Sequence, residues 1–291
     1  DPRGADFEAY KRIRQDEAFV ALERRTVDAF RALGVLMTDT CINYQTVMPP
    51  VLGEHMAFGD TGVVIYSNSV LGARSNYEGG PSALSAALTG RTPRYGFHLD
   101  ACRRGTKRFV IEERPRDWTD WGALGGLVGR QMESYFDVPV IDGDVGTPGS
   151  DDLKHFGAAL ASYGSTAMFH MIGVTPEARD LGEGFDGAPP NAIPLKHTDI
   201  DAFLDSYAKG IDTIDVVVFA APQLSVPELE KLSGLLKGRQ VQDDISLLIT
   251  TNPENKHAAD RMGFTDTIET AGGVLLEGVC FYQMHARELG D

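Results

Sequence analysis

Apolar residues recur at intervals of three and four through residues 6–33, at Ala18, Phe19, Val20, Leu22, Val27, Phe30 and Leu33, with Glu23, Arg24 and Arg25 between them. That spacing predicts a helix with one buried stripe. Gly34 ends it. Residues 35–37 read as a short strand leading into Asp39, Thr40 and Cys41, and Pro49 and Pro50 then interrupt the pattern. The β-branched run 63–66 reads as a buried strand, followed by Ser67, Asn68 and Ser69. Gly79, Gly80, Pro81 and Ser82 make a sharp entry to a helix over 83–88, which Gly90 ends. Residues 108–111 read as a strand. Trp118 and Trp121 flank a turn into a helix over 122–136, and 138–141 is another apolar run.

The second half alternates more plainly. It predicts helix 151–163, strand 166–172, a Gly/Pro-rich loop over 180–197, and helix 198–208 with Thr198 as N-cap. Strand 215–220, helix 226–237, strand 245–250, helix 255–270 and strand 275–280 follow. Strands separated by helices imply crossover βαβ units and a parallel sheet, hence an α/β fold. The loop 142–150 divides this pattern into two lobes, 1–145 and 146–291.

Composition supports a globular chain: 291 residues, 42% of them hydrophobic, are enough for a real core. The net charge of −15 argues against nucleic acid or an anionic membrane as partner. A small anionic substrate needs only a few local cations and stays open. No apolar run approaches the roughly 20 residues of a membrane helix, and no signal peptide is visible. The chain opens on Asp-Pro-Arg, so a natural start can lie upstream. Cys41, Cys102 and Cys280 are too few and scattered for a disulfide framework, which makes a reducing cytoplasm the default compartment.

Familiar catalytic motifs are absent: there is no GxxxxGK[ST], GxSxG, HExxH or CxxC. GALGGLVG at 122–129 follows no clear strand and reads as helix packing. Cys41 and Cys280 each end a short β-like run. Either is by itself a small buried apolar residue; as a pair at strand ends they also permit metal ligation. The stretch 53–100 reads as a polar pocket built on loops. His55 and His98 bracket it, and Arg74 lies close in sequence to a helix N-terminus, which suits a carboxylate clamp. His170 sits in an apolar run and reads as a satisfied core histidine.

Four stretches carry a family resemblance: CINYQ at 41–45, GEHMAFGDTGVVIYSNSVLGARSNYEGGPSAL at 53–84, TGRTPRYGFHLD at 89–100 and FHMIGVTPEA at 169–178. Together they resemble aconitase X over nearly the whole chain. CINYQ, GDTG and ARSNYEGGP are similar to the type I branch, which acts as cis-3-hydroxy-L-proline dehydratase. The phosphomevalonate dehydratase branch tends to CTPY, ARTNREGGP and GCPH. Asn43, Tyr44, Tyr77 and the AAPQLS run at 220–225 depart from that pattern.

The resemblance implies an iron–sulfur hydro-lyase with an aconitase-like large-domain fold and a cluster on three cysteines, of the 2Fe–2S type in type I members. Cys41 and Cys280 match two ligands; a third is expected beyond Asp291. A small swivelling domain, fused or separate, is expected to supply a catalytic serine, and without it the chain is expected to be inactive. The substrate is a small hydroxy acid. Candidate catalytic residues are His55, Ser69 and Arg74. Candidate substrate contacts are Asn43, Tyr44, Gln45, Asn68, Ser75, Asn76, Gly80 and Ser82.

Overall fold

The structure, a computed structural model, describes residues 2–207, 210 and 213–284. In chain order the N-terminal half contains α1 (Glu17–Ala32), α2 (Thr61–Ser69), α3 (Gly80–Thr89), β1 (Lys107–Ile111), α4 (Trp118–Gly129) and β2 (Pro139–Gly143). Then come α5 (Ser150–Gly164), β3 (His170–Met171), α6 (Leu181–Gly184), β4 (Ala192–Leu195), α7 (His197–Asp205) and β5 (Val216–Phe219). The chain continues through α8 (Val226–Leu236), β6 (Ser246–Thr251), α9 (Pro253–Met262), α10 (Phe264–Thr270) and β7 (Gly273–Glu277).

These elements form two compact units: a central one, residues 47–210, and a terminal one built from 1–46 and 211–291. The central unit holds a parallel sheet in the order β3-β2-β1-β4, the terminal unit a parallel sheet in the order β5-β6-β7. The α/β architecture expected from the alternating pattern is therefore present. The loop 142–150, read as a boundary between lobes, instead joins β2 to α5 inside the central unit.

The sheet of the terminal unit is covered on two faces, as buried parallel pairing favours. In β6, Leu247 and Ile249 pack with Leu229, Leu232 and Leu275, whereas Leu248 points the other way to Ala9, Ile13, Leu276 and Met284. In the central unit α4 and α5 pack closely because α4 presents glycines. A Cβ on Gly125 would stand 2.2 Å from the Phe156 carbonyl oxygen, and one on Gly129 would stand 2.9 Å from that of Leu160. The GALGGLVG run is helix packing, as its sequence context suggested.

Several elements differ from the sequence expectation, each for a local reason. Residues 63–66 are helical, not a strand. Asp60 Oδ1 caps α2 by accepting from Gly62 N and Val63 N, and residues 62–69 are buried all round, so no helical period shows. Residues 35–37 join no sheet, so Cys41 lies on a loop and not at a strand end. The helix expected over 6–33 begins only at Glu17. Asp6 turns the chain by accepting from Glu8 N and Ala9 N, and Asp16 caps a fresh start. The helix placed at 122–136 runs from Trp118, capped by Asp117, to Gly129. The loop 180–197 contains α6 and β4, and α7 begins before Thr198, which does not cap it; position 208 lies outside the described residues. Gly263, at φ 77°, splits the helix expected over 255–270 into α9 and α10.

Candidate functional site

In the terminal unit three strands run parallel, and the residues that follow their C-terminal ends are Gln223 after β5, Asn252 after β6 and Cys280 after β7. In open parallel sheets this edge is where ligands bind. Gln223 is buried and ties the two thiol-bearing segments to each other. Its Oε1 accepts from Cys41 N at 3.2 Å, and its Nε2 donates to Asp39 O at 3.3 Å and Val279 O at 3.2 Å. Its own N–H donates to Cys41 Sγ at 3.4 Å. Arg3 adds a second tie: it pairs with Asp39 at 3.3 Å, and its carbonyl accepts from Cys280 N at 2.9 Å. Gly278, at φ 68°, is needed there, since a Cβ would lie 2.7 Å from the Arg3 guanidinium and 2.8 Å from Asp39 Cβ.

Asn43, Tyr44 and Gln45 form a 3-10 turn directly after Cys41, with Asn43 and Tyr44 buried. Asn252 pins this turn at both ends by donating from Nδ2 to Thr40 Oγ1 and Thr46 Oγ1, each at 3.2 Å, while its Oδ1 accepts from Asn255 N. The donor chemistry fits a thiolate-held metal group in part. Two cysteines lie on segments that one glutamine holds, and one sulfur accepts a backbone N–H, a contact that tunes cluster thiolates. Among the described residues no group of three His, Cys, Asp or Glu side chains stands ready to hold a metal.

In the central unit the segment after His55 pairs with the segment after Arg74. Met56 N donates to Arg74 O and Arg74 N to Glu54 O, both at 2.8 Å. This brings His55 and Arg74 together with His98. The two imidazoles stack with centroids 5.1 Å apart, and their Nδ1 atoms are 2.8 Å apart. Arg74 donates to His98 O at 3.1 Å and to the Asp100 carboxylate. That guanidinium holds the exposed Asp100 carboxyl below its ordinary range. Burial, then the neighbouring His55, push His98 below the ordinary imidazole value.

The other expected contacts are mostly sealed into the fold. Asn68 and Ser75 exchange hydrogen bonds at 2.8 Å, and Asn68 also donates to Ala167 O. Asn76 Oδ1 accepts from Phe97 N, and Ser69 Oγ accepts from Phe169 N, each at 2.9 Å. All four side chains are buried. Each spends hydrogen bonds on backbone groups that shape the loops. Gly80 opens α3 and is exposed, and Ser82 donates to the Glu78 carboxylate. The anion that Ser82 meets is thus a protein side chain.

Sequence reasoning missed Gln223, Asn252, Arg3, Glu78 and Asp100, and left His98 without a role. Glu78 and Asp100 carried a signal as acidic residues inside the motifs at 53–84 and 89–100, and Gln223 carried one as a member of the AAPQLS run.

A cavity of about 460 Å³ opens beside Arg74, lined further by Asp100, Arg103, Arg104, Glu177, Arg179 and Glu183. Most of its cations are already paired. Arg74 meets Asp100, buried Arg103 forks onto Glu177 at 2.8–3.2 Å, and Arg179 meets Glu183. Arg104 donates to the Glu183 carbonyl at 3.0 Å. No helix among the described residues is long and apolar enough to cross a membrane.

Parallel βα units with thiols and amides beyond the strand ends define an α/β protein of the ligand-binding, enzyme-like type. Comparison with known proteins narrows the class. The descriptions Aconitase X first domain, second domain and third domain match residues 1–101, 105–205 and 214–290. The chain belongs to the aconitase X family. It is 35% identical to the phosphomevalonate dehydratase large subunit of Methanothermobacter thermautotrophicus, over all of this chain and 70% of that one. It is 33% identical to the cis-3-hydroxy-L-proline dehydratase of Pseudomonas aeruginosa, over 91% of this chain and 45% of that one. The crystal structure of Thermococcus kodakaraensis aconitase X in its holo-form superposes with a TM-score of 0.86 at 31% identity, covering 94% of this chain and 69% of that one.

Proposed function

We propose that the chain is a hydro-lyase that dehydrates cis-3-hydroxy-L-proline to Δ1-pyrroline-2-carboxylate. Named relatives of both kinds are dehydratases. The observation that carries the choice of substrate is Tyr77. Its hydroxyl donates to Thr166 O, and burial pushes the phenol upward, so it stays neutral. The phosphomevalonate branch pattern has arginine at this position. With its hydroxyl spent on Thr166 O and its ring packed on the central core, Tyr77 supplies no cation for a phosphate, which suits a substrate whose only anion is one carboxylate.

Arg74, aligned by His98 O and Asp100, binds that carboxylate and stabilises the charge that develops on it as the Cα proton leaves. The Cα–H electron pair forms the Cα=Cβ bond. The C–O bond breaks with its pair on oxygen, and His55 gives that oxygen a proton so that water departs. The enamine then tautomerises. Cys41 and Cys280 would hold an iron–sulfur cluster, of the 2Fe–2S type, that supplies a Lewis-acidic iron when bound. Asn43, Tyr44 and Gln45, close to Cys41, tune that group. A small swivelling domain, fused or separate, contributes the base as a serine.

A phosphomevalonate-type substrate is the second reading. It is favoured by Arg104 and Arg179 at the 460 Å³ cavity and by the 35% identity over the full chain. Assay of both substrates with the complete enzyme separates the readings. Turnover of the hydroxyproline alone is expected, and turnover of phosphomevalonate alone would replace the first reading by the second. Arg74→Ala should lose about 2–5 kcal/mol of transition-state stabilisation, read as a fall in kcat/KM. Near-normal turnover by that variant removes Arg74 from the site.

A further inference from the structure

His55 and His98 differ sharply in exposure: His55 faces solvent, and His98 is 5% exposed. A nitrogen-to-nitrogen contact of 2.8 Å demands one N–H and one lone pair. Two imidazolium rings cannot make it. The charges that bear on His98 besides His55 are Glu78, Arg103 and Arg74. The arginines are committed elsewhere, Arg103 to Phe97 O, Asn68 O and Glu177, and Arg74 to His98 O and Asp100. Glu54, before His55, accepts from Val51 N. Glu78 is the buried carboxylate of the set. One of its oxygens accepts from Ser82; the other, like His98 Nε2, has no hydrogen-bond partner among the described residues.

Either Nδ1 satisfies the contact as donor; the Glu78 carboxylate, whose field favours a proton on His98, selects between the two. His98 is neutral, with its proton on Nε2 in the field of the Glu78 carboxylate. Its bare Nδ1 accepts from Nδ1–H of His55, whose second proton sits on the exposed Nε2. We propose that His98 is a positioning residue for His55, and that Glu78 and His98 together hold the His55 ring in the tautomer and orientation that deliver a proton from Nε2. This rests on the reading of His55 as the acid for the departing hydroxyl. His98 and Glu78 touch neither substrate nor cluster in this scheme; they act through the ring they orient. The proton given up from Nε2 goes to the leaving oxygen, His55 is left neutral with Nδ1–H still donated to His98, and solvent restores the lost proton at the exposed nitrogen.

The experiment is a matched pair of substitutions. An asparagine amide takes the place of Nδ1, a glutamine amide that of Nε2, so His98→Asn keeps the contact to His55 and His98→Gln loses it. In the complete, cluster-loaded enzyme, His98→Gln is expected to lower kcat by about 100-fold and to move the alkaline limb of kcat/KM to lower pH. His98→Asn should recover about 10-fold of that loss. Glu78→Gln should move the same limb in the same direction. Nitrogen NMR of the imidazoles in the full chain without metal gives a second readout. In the neutral form of the ring, left once Nε2 has given up its proton, His55 keeps its single proton on Nδ1 in the parent and in His98→Asn, and shifts it toward Nε2 in His98→Gln. Equal losses in the two His98 variants, or one His55 nitrogen spectrum in all three proteins, overturn the positioning role. Full turnover by His55→Ala overturns instead the reading of His55 as the acid.

Discussion

At the scale of single residues, the thiols were legible in the sequence and their support was not. Cys41 and Cys280 stand out by type alone. Gln223 sits in the AAPQLS run but its role does not show there, because it acts through contacts to Cys41, 182 positions away in the chain, and because side-chain bonds to backbone leave no periodicity. Asn252 is equally silent, since an asparagine before a helix reads as an N-cap and nothing more. Asn68, Ser69, Ser75 and Asn76 carry the converse lesson: their polarity suggests ligand contacts, and their buried side chains also hydrogen-bond backbone groups, a role that polarity alone does not announce. Gln223→Leu tests the support. It strands Cys41 N–H and the carbonyls of Asp39 and Val279 in a buried setting, at about 1–3 kcal/mol for each group that finds no water. A net loss of about 3 kcal/mol in chemical denaturation is expected, together with lower iron and sulfide content after reconstitution. Parent-like stability and metal uptake would show that the two cysteine segments hold without it.

At the scale of elements, the strands expected at 108–111, 138–141, 215–220 and 245–250 are present within a residue or two, while 166–172 shrinks to His170–Met171 and the short runs 35–37 and 63–66 form no strand. The misreading of α2 has a clear physical cause. α2 is buried on all sides, so its apolar positions show neither a helical nor a strand period, and its β-branched residues tipped the reading toward a strand. The capping aspartate, Asp60, was the available clue. In α4 the reading held because glycines inside a helix are costly and need a packing reason. That reason can be tested with two substitutions in the same helix. Gly125→Ala drives a methyl toward the Phe156 carbonyl oxygen, a backbone atom of α5 that cannot step aside. It should destabilise by about 1–3 kcal/mol or more. Gly122→Ala meets nothing within 4 Å and should gain up to about 1 kcal/mol from helix propensity. Thermal melts of both variants decide it. Similar shifts of one sign would mean that α4 and α5 do not depend on the close approach.

For the whole molecule, the net charge of −15 suggests that mild acid should help, by easing repulsion among the carboxylates. Burial argues the other way in the pH range where histidine titrates. His170 is 1% exposed; a carbonyl, Arg103 O, sits 2.7 Å from its Nε2, so that nitrogen carries the proton, and Nδ1 has no hydrogen-bond partner among the described residues. Burial pushes both His170 and His98 below the ordinary value of about 6.5. The unfolded chain therefore takes up these protons first. Their contribution to stability is complete above that value and is lost as the pH falls through it, by up to about 1.4 kcal/mol per pH unit for each ring. Asp60 and Glu277 oppose this, since burial raises both carboxyls and the fold then holds their protons more tightly than the unfolded chain does. A single substitution isolates one contribution from that sum. His170→Gln keeps a donor near the Arg103 carbonyl and cannot titrate. Its denaturation midpoint should lie close to the parent's in alkaline buffer, and its decline on acidification should be shallower. Parallel declines would mean that His170 does not set the acid sensitivity, which would then come from other groups such as buried His98 and the depressed carboxyls of Asp120 and Asp260.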